Sequence, residues 1–363
     1  MVVSSFVRRG MERASEMPMK FNDPDVPSIH LSGWLAGLFV FSVLAYFFVL
    51  FSIEYTYGMV VATLAAVEDT NPDIYVRIDT DFDANKPVDP AEPELAAPPK
   101  PITSKLRSTI VHLRARAGFW SRFRGFGAFI TYTLAQGFLY AILPVALSNL
   151  AGQFFCRVIV GMALANLDLT WVHVVISEPS PKRFYQRIPD YKTWLKFAPV
   201  VALEQCVVFA AFYIPLLIIV ATGNVVNIDI KPTSDDFDAG TVYRAATAVI
   251  VPCLSAHLAS IPARAITIRV AASMLPEEDE AIVPFDRSFG GKVVPAILGG
   301  SGKLGIADAW KSFDGPARIR YLKVFGKTFA MECAAILFFA LLLGGQVYAG
   351  AVTYGIRRNG SDA

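Results

Sequence analysis

Three polar residues occupy matched places in apolar segments of the chain, where their side chains could contact a polar solute. Aligning the segments LAQG, LEQC and AMEC superposes Gln136, Gln205 and Glu332, and Glu204 stands beside the second of them. Amides and carboxylates inside a membrane span face a cavity or a partner helix, because lipid offers them no hydrogen bonds. The alignment therefore predicts either solute contacts or hydrogen bonds that join helices, and both interpretations stay open.

A second set of related segments carries charged residues. SIEYTYGMVVA begins at Ser52, NLDLTWVHVVI at Asn166 and PARAITIRVAA at Pro262, and each follows an apolar run and leads into an acidic turn. A unit that recurs about every hundred residues predicts a threefold repeat. Proline removes a backbone donor and kinks a helix, whereas serine and asparagine disturb one only weakly. We therefore expect equivalent bends at the three starts, with the sharpest at Pro262.

Composition places the chain in a membrane. Of its 363 residues, 54% are hydrophobic and 18% are charged, and the mean hydropathy is +0.46. This is too apolar for an ordinary soluble protein. The net charge of +2 comes without a basic cluster in a soluble binding module, so no nucleic-acid partner is expected. Membrane lipid is the expected partner, together with a possible small-molecule substrate, and protein partners are left open.

Six apolar stretches are long enough to cross a bilayer. The predicted spans lie at about 33–52, 126–147, 151–169, 197–221, 242–261 and 329–348. The sequence thus predicts an all-α polytopic membrane domain over 31–350, between a polar tail at 1–30 and a C-terminal tail at 351–363. The first helix is expected to persist to Val67.

Two segments between the first and second spans have distinct compositions. Residues 69–101 are acidic and rich in proline, which predicts a flexible linker because such a composition buries little apolar surface. Residues 104–124 alternate basic and apolar side chains, which predicts an amphipathic helix on lipid headgroups.

The basic residues are distributed unevenly among the loops. The segments joining spans one to two, three to four and five to six hold nine, five and ten of the 33 Lys and Arg. Loops rich in these residues stay on the cytosolic side of a membrane, or on the matrix side in mitochondria. We therefore expect these three loops on one face and the short or acidic connections on the other.

No motif argues for an enzyme. Gly299 to Lys303 (GGSGK) is similar to the end of a phosphate-binding loop, but Ile297 and Leu304 stand where that loop needs a glycine and a hydroxyl residue. The cysteines lack CxxC spacing and the histidines lack ligand spacing, so neither a disulfide framework nor a metal site is predicted. No catalytic constellation stands out. We expect no enzymatic activity and no cofactor.

Three repeats of about a hundred residues, each with two spans and a basic return loop, resemble the mitochondrial carrier family. The family's mark is Pro-x-Asp/Glu-x-x-Lys/Arg-x-Lys/Arg at the end of each odd helix. In the third segment, Pro262 matches the proline and Arg269 the last basic residue. In the other two segments, Asp168 and Glu54 match the acid, and His173 stands at a position for a basic residue.

The start of the second span resembles the family as well. Phe123-Arg124-Gly125, followed by FGAFITYTLAQGFLY to Tyr140, is similar to the aromatic-basic-glycine linker and second helix of a carrier. The resemblance covers most of 33–348. It implies a six-helix bundle with pseudo-threefold symmetry around a central cavity that moves a small solute.

The chain departs from the family at its gates. The family closes its matrix side with acid-to-base pairs, and the basic partner is missing at Tyr57, Trp171 and Thr267. Arg264 is left to pair with Glu54 or Asp168, and because an unpaired charge in a membrane is costly we expect that ion pair or a wet cavity. The candidate gate residues are Glu54, Asp168, Arg264 and Arg269. The family's second gate motif is absent from the even helices, which argues against alternating access.

The resemblance also implies substrate contact points near Thr131, Val200 and Lys327. The candidate substrate site therefore comprises Thr131, Gln136, Val200, Gln205, Lys327 and Glu332. In this hypothesis Lys327 attracts an anionic group and the glutamines orient the solute, so a carboxylate or zwitterion fits best, unless Glu332 neutralises the site and favours an uncharged solute. Arg157 in the third span is equally well explained by snorkelling to headgroups.

Two functions from different classes remain open. A carrier-like protein would move a small polar or anionic metabolite through a central cavity, which the polar set at one depth favours. A carrier-shaped protein without transport would act in protein interaction or membrane organisation, which the degenerate gates favour. The resemblance implies a mitochondrial location, in the inner membrane before the outer, and the endomembrane system or plasma membrane is the alternative.

Overall fold

A computed structural model describes residues 33–69, 101–143, 149–222, 239–294 and 298–361. These residues are about 81% helical and contain no strand, which confirms the predicted all-α polytopic class. The predicted polar tail and nearly all of the acidic linker lie outside the described residues, as do the last residues of the predicted second span.

The described helices are numbered in chain order. They are α1 (Gly33–Val67), α2 (Leu106–Ala117), α3 (Phe126–Ile142), α4 (Leu150–Ala163), α5 (Ala165–Ile176), α6 (Tyr191–Ala221), α7 (Ala239–Ser273), α8 (Ile306–Lys311) and α9 (Gly315–Ser361). The residues Glu54–Val61 within α1 form a stretch of π-helix. As expected, the first helix persists to Val67.

Five helical segments are long and apolar enough to cross a membrane, and α4 with α5 makes a sixth if that bent pair is one span. The five are Gly33–Val67, Phe119–Ile142, Tyr191–Ala221, Tyr243–Ser273 and Gly315–Val352. Five of the six predicted spans fall on these segments, and the predicted third span falls on α4 and α5. Several of the helices run past the predicted limits. Helix length exceeds the apolar length here because polar turns at the ends stay helical.

The chain divides into two compact units, which comprise residues 1–62 with 321–363 and residues 63–320. In the first unit, α1 packs against α9 through the rings of Tyr46 and Phe339, whose centroids are 5.4 Å apart. The amide of Gln346 donates to the hydroxyl of Ser42 at 2.7 Å in the same interface. The candidate gate and substrate residues are distributed over both units.

The sharp break in the second unit lies at Leu164, whereas α7 continues as one helix through Pro262, where the sharpest kink was predicted. Leu164 leaves the helical conformation (φ −90°, ψ 2°), and α4 and α5 meet there at 51°. The indole of Trp194 donates to the carbonyl of Met162 at 2.7 Å, and the amide of Asn166 donates to a carbonyl in the loop before α6 at 3.2 Å. These donors stabilise the break, whereas α7 passes through its proline as one helix.

The C-terminal ends of α1 and α5 meet the segment 274–305 between α7 and α8, which we name the return segment. The backbone N–H of Asp69 donates to the carbonyl of Pro284 at 3.3 Å. The N–H of Ile282 donates to the carbonyl of Ile176 at 2.8 Å, beside an isolated antiparallel bridge. The starts of the three basic loops therefore lie close together.

Helix α2 is shorter than the predicted amphipathic helix over 104–124, because Gly118 (φ 76°) ends it and a 3₁₀ turn follows. Thr109 and Leu113 are buried on its inner face, and the ring of His112 is hydrogen-bonded to the carbonyl of Ile282 at 2.8 Å. One face of α2 thus packs on the return segment, and only the exposed basic face is available to lipid headgroups.

Glu68 joins three parts of the chain at the end of α1. Its fully buried carboxylate accepts hydrogen bonds from the backbone N–H groups of Ile102 (2.6 Å) and Thr103 (2.9 Å), and from the Thr103 hydroxyl. The guanidinium of Arg320 donates to the backbone carbonyl of Glu68 at 2.5 Å. Hydrogen bonds that a carboxylate accepts are stronger than those between neutral groups.

We predict that Glu68→Gln lowers the free energy of unfolding by about 3 kcal/mol, because the amide replaces one acceptor oxygen and removes the charge. The measurement is chemical or thermal unfolding in detergent. Glu278→Gln is the matched control, since Glu278 forms an exposed ion pair with Lys182 and should change the stability by less than about 1 kcal/mol. Equal effects of the two substitutions would contradict the role given to Glu68.

Candidate functional site

Arg264 and Asp168 form an ion pair between α7 and α5. The guanidinium donates from Nη1 to Oδ2 at 2.8 Å and from Nη2 to Oδ1 at 2.7 Å. The two side chains are 25% and 12% exposed. A planar guanidinium matches a carboxylate with two parallel hydrogen bonds, the strongest geometry for such a pair. The ion pair predicted from the repeat segments is therefore present.

Glu204 of α6 supplies a second carboxylate to the same guanidinium. Its Oε2 lies 3.6 Å from Nη1 of Arg264, and its side chain is 13% exposed. Thr267 shares a side-chain hydrogen bond with Glu204, and the ring of Trp171 lies 5.7 Å from the guanidinium carbon of Arg264. We name Asp168, Glu204 and Arg264 the ion triad.

The helix break at Leu164 positions the acid of the ion triad. Because α5 begins at Ala165, Asp168 lies in the first turn of that helix. Unpaired backbone N–H groups give a helix N-terminus a partial positive charge, which favours a carboxylate there. The break therefore stabilises the carboxylate of Asp168 through the helix N-terminus, in addition to the ion pair with Arg264.

A file of polar side chains extends from the ion triad between α3, α4 and α6. Tyr132 interacts electrostatically with all three members of the triad. The amide of Gln136 donates to the hydroxyl of Tyr132 at 3.2 Å and also shares a hydrogen bond with Tyr140. The charge of Arg157 in turn acts on Tyr140, and the Nε of Arg157 donates to Oε1 of Gln205 at 2.9 Å. We name Tyr132, Gln136, Tyr140, Arg157 and Gln205 the polar file.

Arg157 is the charged end of the polar file. Its side chain is half-buried, and in the part of the chain that the structure describes no carboxylate lies within ion-pair distance of it. Gln205 reaches it over Gly161, where a Cβ atom would stand 2.8 Å from Cγ of Gln205. A glycine at that position is therefore needed for the close approach of α4 and α6.

The predicted substrate contacts fall in different surroundings. Gln136 and Gln205 belong to the polar file, whereas Val200 is 1% exposed and offers no surface to a solute. The hydroxyl of Thr131 is exposed and donates to the carbonyl of Gly127 at 2.9 Å. Lys327 is exposed and belongs to the first unit, together with Glu332.

Glu54 and Glu332 are hydrogen-bonded to each other within the first unit. Glu54 begins the π-helical stretch of α1, and its carboxylate lies over Gly58, where a Cβ atom would stand 2.6 Å from Oε2. The structure thus pairs Glu54 with an acid in its own unit, whereas Arg264 lies in the other unit.

Arg269, the fourth predicted gate residue, binds backbone groups and aromatic rings. It is 2% exposed and donates to the carbonyl of Ala66 at 2.9 Å and to the carbonyl and hydroxyl of Ser312 at 3.1 Å. Its guanidinium carbon lies 4.9 Å and 5.1 Å from the ring centroids of Phe289 and Phe313. Among the described residues Arg269 forms no ion pair. The prediction that it belongs to a salt-bridged gate is therefore not met, and its hydrogen bond to Ala66 instead fixes the end of α1.

His173 occupies a similar place at the end of α5. Its ring is 2% exposed, and Nε2 is hydrogen-bonded to the carbonyl of Ala271 in α7 at 2.9 Å. His173 and Arg269 stand at the same position of their related segments, and each contacts a backbone carbonyl of another odd-numbered span. The bond of His173 joins α5 to α7, and the bond of Arg269 to Ala66 joins α7 to the end of α1.

Three cavities, of about 620, 270 and 230 Å³, lie around the loops of the second unit. The largest of them is lined by Arg269, Phe285 and Lys292 among others, and none of the three is lined by Gln136 or Gln205. The predicted central cavity is therefore not one of these. Within the described ranges no group of three or more potential ligands can hold a metal ion.

Sequence reasoning missed the polar file as a connected set. Arg157 was visible as a base inside an apolar span, and Tyr132 and Tyr140 flank Gln136 at positions i−4 and i+4, which share a helix face. That spacing was the available signal for α3. The contact of Arg157 with Gln205 depends on the register of two helices and has no local signal.

Comparisons with family models, with curated proteins and with solved structures returned no match. The apolar helices define the class as an integral membrane protein. The resemblance to the mitochondrial carriers remains a prediction.

We predict that Arg264→Ala lowers the free energy of unfolding by about 3–5 kcal/mol, because two buried carboxylates then lose their cation. Adding Asp168→Asn and Glu204→Gln to that variant should restore most of the loss, since the uncompensated charges are removed. Unfolding in detergent measures both effects, with Lys182→Ala as the exposed control. An Arg264→Ala effect no larger than the control, or no recovery in the triple variant, would contradict the ion triad.

Proposed function

We propose that the protein is a solute carrier that moves a small organic anion, and that Arg157 binds the anionic group. The observation that carries this proposal is a half-buried guanidinium in an apolar helix with no carboxylate partner among the described residues. A charge inside a membrane span marks a substrate pathway more often than a structural contact. A bound anion would supply the missing negative charge.

The hydrogen bond to Gln205 supports this role of Arg157. It engages Nε and directs the guanidinium, whose terminal nitrogens form the fork that binds a carboxylate with two bonds. Side chains of α3 in the polar file, Tyr132, Gln136 and Tyr140, provide hydroxyl and amide groups for the rest of the solute.

The number of bases limits the size of the charge on the solute. One guanidinium in the polar file suits a monocarboxylate or a zwitterion, whereas a nucleotide with several phosphates needs more cations. Lys327, the base predicted from the resemblance, remains a second candidate in the first unit. Glu332 is hydrogen-bonded to Glu54. In this proposal Glu332 therefore does not neutralise Lys327, whose positive charge is available to a solute.

The proposed location is the mitochondrial inner membrane, with the basic loops in the matrix. This follows from the resemblance and from the uneven distribution of Lys and Arg, and the apolar helices support a membrane location in general. Fractionation with protease protection tests it. Recovery of the protein in endomembranes or at the cell surface would contradict it.

We predict that purified protein in liposomes takes up a small labelled carboxylate and that Arg157→Gln reduces uptake by about 10- to 100-fold, the equivalent of one charge-assisted hydrogen bond. Gln205→Ala should reduce uptake less, because the guanidinium remains. The matched control is Arg116→Gln, which removes an exposed base paired with Glu178 and should leave uptake unchanged. The panel includes neutral and zwitterionic metabolites.

Two results would contradict this proposal, the first its carrier function and the second its anion site. One is the absence of uptake of any solute by folded wild-type protein. The other is equal uptake by the wild type and Arg157→Gln. The measurement therefore separates a wrong site from a wrong function, since the second result leaves transport standing and removes Arg157 from it.

A role in protein interaction is the second candidate function. The return segment favours it, because the 620 Å³ cavity there is lined by charged residues of both signs and by aromatic residues, and opens among the loops. Absence of uptake together with a normal cellular phenotype for Arg157→Gln would favour this function over transport.

A further inference from the structure

The ion triad contains two carboxylates and one guanidinium. Asp168 receives both hydrogen bonds, at 2.7 and 2.8 Å, whereas the nearest oxygen of Glu204 lies 3.6 Å from Arg264. That Oε2 atom is buried and lies beyond the usual hydrogen-bonding distance from Arg264, and Glu204 also shares a side-chain hydrogen bond with Thr267. The guanidinium is thus committed to Asp168, and Glu204 is the weakly held member of the triad.

The groups around Glu204 leave one negative charge uncompensated if both acids are ionised. Asp168 faces it from α5, Arg264 and Thr267 face it from α7, and Tyr132 faces it from α3. Arg264 provides the one positive charge in this set. An uncompensated carboxylate away from water is expensive, and binding a proton removes that cost.

We propose that Glu204 is a proton-binding site, so that the ion triad holds one exchangeable proton and is electrically neutral. The carboxylate of Glu204 takes the proton from water and returns it to water, and no other bond changes. Asp168 keeps its two hydrogen bonds to Arg264. If the proposed function is right, the polar file connects this proton site to the anion on Arg157, and the two move together.

Infrared spectroscopy of the purified protein near neutral pH tests the proton directly. Wild type should show the carbonyl band of a protonated carboxylic acid, and Glu204→Gln should lose the part that the triad contributes. Carboxyl labelling of glutamate with ¹³C should shift this band, whereas the same labelling of aspartate should leave it in place. Asp168→Asn should also lose it, because Arg264 is then available to an ionised Glu204.

The hydrogen-bonded acids Glu54 and Glu332 contribute a band of their own, so Glu332→Gln serves as the control for that background. The inference is overturned if Glu204→Gln leaves the spectrum unchanged, or if labelled aspartate shifts the band and labelled glutamate does not. Glu278→Gln, a change at an exposed acid, should have no effect.

Uptake into liposomes tests the coupling separately. A pH gradient, acidic outside, should raise the initial uptake of the carboxylate several-fold in wild type, and Glu204→Gln should abolish this dependence on the gradient. Equal dependence in both proteins would remove Glu204 from the coupling. If the wild type transports nothing, the carrier proposal fails, while the infrared result still decides whether Glu204 binds a proton.

Discussion

A charge inside an apolar helix is costly without a partner, and this constraint organises the ion triad of the second unit. Arg264 satisfies it with two hydrogen bonds to Asp168 and a longer contact to Glu204. Helices α5, α6 and α7 each contribute one member, so their relative placement follows from one guanidinium. The break at Leu164 serves the same pair, because it places Asp168 in a first helical turn where the backbone favours a carboxylate.

The helix ends obey the same rule with backbone carbonyls as acceptors. Arg269 donates to Ala66 at the end of α1 and His173 is bonded to Ala271 in α7, while the carboxylate of Glu68 binds the N–H groups that follow the linker. Buried polar side chains thus replace the water that would otherwise satisfy these groups. These contacts connect the ends of α1, α5 and α7 to one another and to the loops that follow them.

The sequence predicted what depends on local pattern and on charge. Apolar run length gave five membrane-length helices and the bent pair of α4 and α5, and the cost of an unpaired charge led to the pairing of Arg264 with Asp168. Prediction from the sequence failed for features that depend on segments far apart in the chain. The break at Leu164 depends on hydrogen-bond donors from Trp194 and Asn166, and the contact of Arg157 with Gln205 depends on the register of two helices. Val200 and Thr131 came from the resemblance alone, and the packing of α6 buries the first of them.

The central claim is that the ion triad is present for function, since buried ion pairs often contribute little to stability. The most direct measurement replaces the whole triad with apolar residues, Asp168→Leu, Glu204→Leu and Arg264→Met, and determines unfolding and uptake on the same preparation. We predict that stability is unchanged or rises by about 1–4 kcal/mol, while uptake driven by a pH gradient is lost. Wild-type uptake and pH dependence in this variant would contradict the account.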